Sequence, residues 1–206
     1  MRLPVQIGVT GGIGSGKSLI CRIFSCLGVP IYDADSHAKE LMTTDGILIS
    51  NIKKEFGELS YHGDGTINRN YLSSKVFNNT EKLQQLNNLV HPRVREDYNK
   101  WMNANTGHSY VVKEAALMFE AGSYQQMDKV VVVSAPDELR IRRVLKRDSH
   151  RSEIQIKGII ENQMPEEEKV RRADFTVRND GKVLVITQIL QLHAQFLLLQ
   201  PRPAAL

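Results

Sequence analysis

The octet Gly11-Gly12-Ile13-Gly14-Ser15-Gly16-Lys17-Ser18 constrains this chain more than any other stretch. It spells G-x-x-x-x-G-K-[ST], and its flanks supply the context that the pattern needs. An apolar run, Val5 to Val9 closed by Thr10, precedes it, and residues with helical periodicity follow at Ile20, Ile23, Phe24 and Leu27. A strand feeding a glycine-rich turn that opens a helix is a cradle for phosphate. Successive backbone N–H groups turn inward, and the helix N-terminus adds its positive dipole end. In such a cradle Lys17 reaches the β- and γ-phosphates, and the Ser18 hydroxyl ligates Mg²⁺. The sequence predicts a nucleoside triphosphate-binding chain.

Its 206 residues suit one domain of ordinary size with room for an inserted substrate-binding piece. A net charge of +4 is modest. It fits a phosphate-rich small substrate better than nucleic acid, which calls for a denser basic stripe. The two cysteines, Cys21 and Cys26, fall in the helix after the glycine loop, where a disulfide is geometrically disfavoured and no zinc spacing is present. They read as reduced thiols of a cytoplasmic protein. The opening residues lack a charged-then-apolar signal pattern, so no signal sequence is expected, and the Phe196–Leu199 cluster is far too short to span a membrane. Oligomeric state is not legible.

Short apolar runs alternate with helical patterns, which predicts an α/β fold: a three-layer, doubly wound parallel sheet. Strands are expected near Val5–Thr10, Val29–Asp33, Tyr110–Glu114, Lys129–Ser134 and Asp174–Val177. The first helix is expected to end at Gly28, with Pro30 just beyond. Between the second and third strands a long polar, mostly helical stretch, about 36–107, is too long for a crossover and reads as an inserted helical subdomain. It holds a turn cluster, Gly63-Asp64-Gly65. After the fourth strand Pro136 opens a basic helix, Asp137 to Arg147, and Ser152-Glu153-Ile154-Gln155 makes a capping box. This charged region, about 137–172, reads as a mobile helical lid, the alternative being a solvated surface helix pair. The nucleotide-binding core then comprises about 1–35, 108–136 and 173–200. Asn179-Asp180-Gly181 ends the last strand, a helix runs to about Leu199, and Pro201–Leu206 reads as a frayed tail.

A phosphate loop alone does not name a reaction. The N-K-x-D motif of guanine readers is absent, and no run of four apolar residues ends in an aspartate suited to a hydrolytic Mg²⁺ site. Asp33-Ala34-Asp35 stands at the carboxyl end of the second strand, where ligands bind in doubly wound sheets. Transfer to a hydroxyl needs a group to orient and deprotonate it, and a carboxylate does this. At least one of the pair is assigned catalytic or Mg²⁺-associated work, Asp35 by preference; the other use for them is capping the helix expected near Ser36. Arg143 and Arg147, four apart on one helical face, are expected to point at the same phosphates. The remaining arginines of that region are expected to face solvent.

An ordered set of motifs then resembles the dephospho-coenzyme A kinase family over nearly the whole length. It comprises T-G-G-I-G-S-G-K-S at Thr10–Ser18, D-A-D at Asp33–Asp35, His91-Pro92 before a helix and L-M-F-E at Leu117–Glu120. V-V-V-x-A-P from Val131 to Pro136, R-x-x-x-R-D at Arg143–Asp148, Asn162-Gln163-Met164, Ala173-Asp174 leading to Asn179 and Leu192-His193-Ala194 complete it. The resemblance implies that ATP phosphorylates the 3′-hydroxyl of dephospho-coenzyme A. It implies that Lys17 and the surrounding residues Gly12, Gly14, Ser15, Gly16, Ser18 and Leu19 hold ATP, with Asn179 near adenine. It further implies Asp35 as base, Arg143 and Arg147 in the lid, the long insertion as acceptor-binding domain, and Asp33, His91 and Glu120 on the acceptor side. A kinase for a nucleoside monophosphate or another small alcohol is the alternative; a nucleotide switch without catalysis is the third.

Three departures from the family pattern stand out. Ala116 replaces a proline, and Leu19 replaces a common threonine, where only a backbone N–H is needed. Lys113-Glu114 puts charge into a strand expected to be apolar: either the strand ends by Val112, or the pair reaches solvent at the mouth of the site.

Overall fold

Valine and isoleucine runs with no polar alternation belong to strands buried on both faces, which is how parallel sheets read. The computed structural model describes residues 3–77 and 79–200. In chain order its elements are β1 (Val5–Thr10), α1 (Lys17–Cys26), β2 (Ile31–Asp33), α2 (Ala34–Thr44), α3 (Gly46–Phe56), α4 (Arg69–Val76) and α5 (Thr80–Ala104). There follow β3 (Tyr110–Glu114), β4 (Lys129–Ser134), α6 (Asp137–Arg147), α7 (Glu153–Glu161), α8 (Glu166–Arg172), β5 (Phe175–Arg178) and α9 (Val185–Leu197). The chain forms two compact units: Met1–Asp33 with Met102–Leu206, and Ala34–Trp101.

The first unit is a five-stranded parallel sheet in the order β2-β3-β1-β4-β5 with flanking helices. Because β1 lies in the middle, paired with β3 through Val5–Val9 and with β4 through Ile7–Thr10, its carboxyl end opens at the centre of the sheet edge. Val5, Ile7 and Val9 present one face to Ile20 and Phe24 of α1 and to Ile189, Leu192 and Phe196 of α9. Phe24 and Phe196 stack, their ring centroids 6.2 Å apart, and Tyr110 meets both edge-on. Each such fully buried side chain contributes about 1.5–3 kcal/mol of transfer free energy.

Several boundaries differ from the sequence expectation, each for a local reason. β2 begins at Ile31 rather than Val29, because the Val29 N–H is still closing α1 through the Phe24 carbonyl. α1 ends at Cys26, and Gly28 follows in the left-handed region with φ 80°. α2 starts at Ala34, so Asp35 lies inside the first helical turn instead of ahead of it. α9 ends at Leu197, with single tight bonds from Leu198 and Leu199 beyond it. β5 covers Phe175–Arg178, one residue later than expected. Pro201–Leu206 lies outside the described residues. The capping box forms in both directions: Gln155 N–H donates to Ser152 Oγ, and Ser152 N–H to Gln155 Oε1.

The second unit is helical with its own core. Leu48, Ile52 and Phe56, one face of α3, pack with Tyr61, Leu72 and Val90. Gly63-Asp64-Gly65 turns as expected, with Asp64 Oδ1 accepting from both Thr66 N–H and Thr66 Oγ. His91-Pro92 corrects an expectation: the pair sits inside the 25-residue α5 and does not precede or start a helix. Proline is tolerated there only at the loss of one intrahelical hydrogen bond.

Asp45 ties two helices of this unit together. It caps α3 by accepting the Leu48 N–H at 2.9 Å and receives Arg93 of α5 at 2.6 Å. Burial alone would raise its pKa; the Leu48 N–H and the Arg93 guanidinium outweigh burial and hold it below the ordinary carboxylate value. A depressed native pKa gives stability that is present above the unfolded-state value and disappears as pH falls through the native one. Asp45→Asn keeps a capping oxygen but loses the charge pair, and its urea stability is expected to depend less on pH between neutrality and mild acid than wild type. Asp45→Ala removes the cap as well and is expected to cost about 1 kcal/mol or more at neutral pH. Equal pH dependence for Asp45→Asn and wild type would contradict this.

Candidate active site

The phosphate loop leaves β1 at Thr10 and closes on α1. Gly14 and Gly16 hold φ of 76° and 99°, conformations that L side chains rarely adopt. Neither has space for a side chain: a Cβ would meet the Arg140 carbonyl oxygen at 2.5 Å from Gly14 and Asn179 Nδ2 at 2.2 Å from Gly16. Gly16 is the N-cap of α1, and no side chain caps the helix; the Leu19 and Ile20 N–H groups donate to the Gly16 carbonyl. Lys17 Nζ lies back across the loop, donating to the Gly11 and Gly12 carbonyls at 2.9 and 3.4 Å. Ser15 is wholly buried. The Leu19 side chain is half exposed, and its N–H donates to the Gly16 carbonyl.

The Lys113-Glu114 expectation is overturned on both counts. β3 continues through Glu114, and both side chains are buried, at 4% and 8% exposure. Register explains this: β3 is flanked on both sides, Glu114 pairing with Val9 of β1 and Asp33 of β2. Glu114 Oε1 accepts the Ser18 hydroxyl at 3.0 Å, and the Cys21 thiol, one turn along α1, donates to the same carboxylate. Burial raises the Glu114 pKa, the negative charge of Asp33 pushes the same way, and the Ser18 hydrogen bond and Lys17 oppose them. Burial and the adjacent carboxylate also push the Cys21 thiol far up, which leaves it protonated and inert. Both cysteines are free.

Ser18, Glu114 and Asp33 therefore converge at the carboxyl end of three adjacent strands, beside Lys17. Oxygen donors of this kind suit a hard divalent cation such as Mg²⁺. Glu114 was legible only as an anomaly, because a charged pair inside a strand names no role by itself.

Arg143 and Arg147 do not share a partner. Arg143 donates to Asn179 O and Oδ1 at 3.0 and 3.2 Å and reaches the Gly14 and Ser15 carbonyls, and Asn179 Nδ2 donates to Ser15 O at 2.7 Å. Together they grip the outer side of the phosphate loop. Arg147 is largely exposed and pairs with Asp148 at 2.9 Å. Glu120 accepts the Met164 N–H at 2.9 Å and faces Lys169 Nζ at 3.0 Å, although the Lys169–Glu120 pair lacks the angles of a hydrogen bond. His91 is exposed on α5, and Asp35 stands in the first turn of α2. Arg140 corrects the expectation that the other arginines face solvent, since only 3% of it is exposed. Its signal was the spacing to Val144, which puts both on the buried face of α6.

A parallel sheet whose central strand feeds a phosphate loop, with acidic side chains on the adjoining strand ends, defines a P-loop nucleotide-binding protein. The sequence profile described as dephospho-CoA kinase matches residues 5–184. A dephospho-CoA kinase of Bacteroides fragilis is 36% identical over 192 residues, covering 93% of each chain. A solved structure from Thermus thermophilus superposes with TM-score 0.85 at 31% identity over 94% of this chain and 98% of its own. Dephospho-CoA kinase from Campylobacter jejuni superposes with TM-score 0.62 at 25% identity, covering 95% and 98%. The chain belongs to the dephospho-CoA kinase family, a family of ATP-dependent phosphotransferases. Among the described residues no helix is long and apolar enough to cross a membrane.

Glu114→Gln keeps an acceptor for Ser18 but removes the charge. It is expected to lower kcat/KM for ATP about 10- to 100-fold. Because burial raises its pKa, Glu114 takes up its proton above the ordinary carboxylate range, and the acid limb of the wild-type profile should lie correspondingly high. The folded state thus binds this proton more readily than the unfolded one, so the charge works against stability as pH rises. Glu114→Gln is expected to melt no lower than wild type at pH 8. Full activity combined with a lower Tm would contradict both statements.

Proposed function

We propose that this chain transfers the γ-phosphate of ATP to the 3′-hydroxyl of dephospho-coenzyme A, giving coenzyme A and ADP. The observation that carries the reading is the phosphate loop with Ser18 bound to a buried Glu114 beside Asp33, in a member of this family. The backbone amides of residues 14–18, at the N-terminus of α1, hold the phosphates. Lys17 exchanges the Gly11 and Gly12 carbonyls for β- and γ-phosphate oxygens. Ser18 would hold Mg²⁺, with Glu114 and Asp33 as its acidic support, and the bound ion would neutralise charge on the phosphate oxygens.

Asp35 is the proposed base. It takes the proton from the acceptor hydroxyl as the new O–P bond forms and the bond from the γ-phosphorus to the bridging oxygen breaks, and ADP carries that electron pair away. The helical unit Ala34–Trp101, with His91, is the proposed acceptor-binding part, aided by Asp33 and Glu120. Residues of about 137–172 serve as the lid. In it Arg143, together with Asn179 just after β5, steadies the loop around ATP, and Arg147 leaves Asp148 to meet charge on the migrating phosphoryl group. We assign the reaction to the cytoplasm, where the two free thiols remain reduced.

Purified protein with ATP and Mg²⁺ is offered dephospho-coenzyme A, AMP and GMP. Transfer to dephospho-coenzyme A alone is expected; preference for AMP or GMP would replace this reading with that of a nucleoside monophosphate kinase. Asp35→Asn is expected to lower kcat by at least about a hundredfold while the KM for ATP stays within a few-fold. Near-normal kcat in that variant would remove Asp35 from the role.

A further inference from the structure

Ile13, at the tip of the phosphate loop, has both backbone groups taken by side chains from two distant places, Gln163 between α7 and α8 and Arg140 of α6. Its N–H donates to Gln163 Oε1 at 3.0 Å, and its carbonyl accepts from Arg140 Nε at 2.9 Å. The same guanidinium presses on the neighbouring glycine so closely that a Cβ at Gly12 would lie 1.9 Å from Arg140 Nη2. Arg140 is itself held by two carboxylates, Asp137 at 2.7 Å and Glu166 at 3.2 Å, and Glu166 also receives the hydroxyl of Ser134 at the end of β4. Lys169, one turn further along α8, is anchored on Glu120 after β3. Gln163, Glu166 and Lys169, at intervals of three, therefore anchor the C-terminal end of the proposed lid segment to three places in the core: the phosphate loop, the end of β4 and the turn after β3.

A cavity of about 390 Å³ flanks Gly12 on this side, bounded by Pro136, Ile160, Met164 and Lys169 together with Arg140. On this side, next to the open space, the Gly12–Gly14 limb is contacted by the two polar bonds at Ile13 and by the Arg140 backbone against Gly14.

We infer that Arg140 and Gln163 are positioning residues for ATP: they brace the first limb of the phosphate loop and hold its amides in the geometry that phosphate requires. The inference rests on the reading that this loop holds the ATP phosphates. It also makes the Ile13 N–H a structural donor and not a phosphate ligand, since Gln163 already takes it. Arginine is required at 140 because its fork serves Ile13 O and two carboxylates at once, which the point charge of lysine does not do.

Calorimetric binding of ADP with Mg²⁺ and steady-state kinetics on the full chain test this in Arg140→Lys, Gln163→Leu and Gln163→Glu. Arg140→Lys and Gln163→Leu are each expected to weaken ADP binding and raise the KM for ATP about tenfold, the loss of one hydrogen bond to a preorganised loop. The KM for dephospho-coenzyme A should stay within about twofold, a split that simple loss of folded protein does not produce. Gln163→Glu retains an acceptor for the Ile13 N–H and is expected to restore ADP affinity. If Arg140→Lys fails to fold, the Gln163 pair carries the test. Unchanged ADP affinity in folded Gln163→Leu overturns the brace alone, whereas failure of the wild-type protein to bind ADP overturns the phosphate-loop reading and the brace with it.

Discussion

Backbone amides bind phosphate well only when they are already held in place, and here that preorganisation begins with the pairing of β1. Hydrogen-bonded to β3 on one side and β4 on the other, and packed through Val5, Ile7 and Val9 against α1 and α9, β1 cannot shift without breaking two ladders and a core. Its last residue, Thr10, delivers the chain to the glycine loop at the middle of the sheet edge. From there every feature of the site follows by adjacency. α1 aims its uncapped N-terminus into the loop, β3 brings Glu114 to Ser18, and β2 brings Asp33 next to Glu114.

The loop itself is held from two sides. Arg143 and Asn179 occupy the carbonyls of Gly14 and Ser15, and Arg140 with Gln163 occupies the peptide groups of Ile13. The cost of this arrangement is charge kept out of water. Glu114 is buried next to another carboxylate with a raised pKa, an unfavourable state for a fold and a useful one where a divalent cation and a triphosphate meet. Arg140 and Lys169 are as deeply buried, but each has a carboxylate partner. Buried charge in this unit thus concentrates where the loop and its supports meet.

The parts legible in the sequence are those whose signal is local. The phosphate loop declares itself in eight residues, the strands are runs of branched apolar residues, and the capping box at Ser152 needs only four positions. Boundaries moved by a residue or two where a neighbouring bond decided them, as at Val29. What escaped depends on register between strands and on distant partners. Glu114 reads as a misplaced charge until β1, β2 and β3 are aligned, and Arg140 reads as one more surface arginine until α6 lies on the loop. His91-Pro92 misled for the opposite reason: a proline that commonly opens a helix sits here within one.

A crystal structure with Mg²⁺ and a non-hydrolysable ATP analogue tests the central claim most directly. The β- and γ-phosphates are expected against the amides of residues 14–18, with Lys17 Nζ moved from the Gly11 carbonyl onto phosphate oxygen and the metal on Ser18 Oγ. A triphosphate bound elsewhere, with Lys17 still on Gly11, would contradict it.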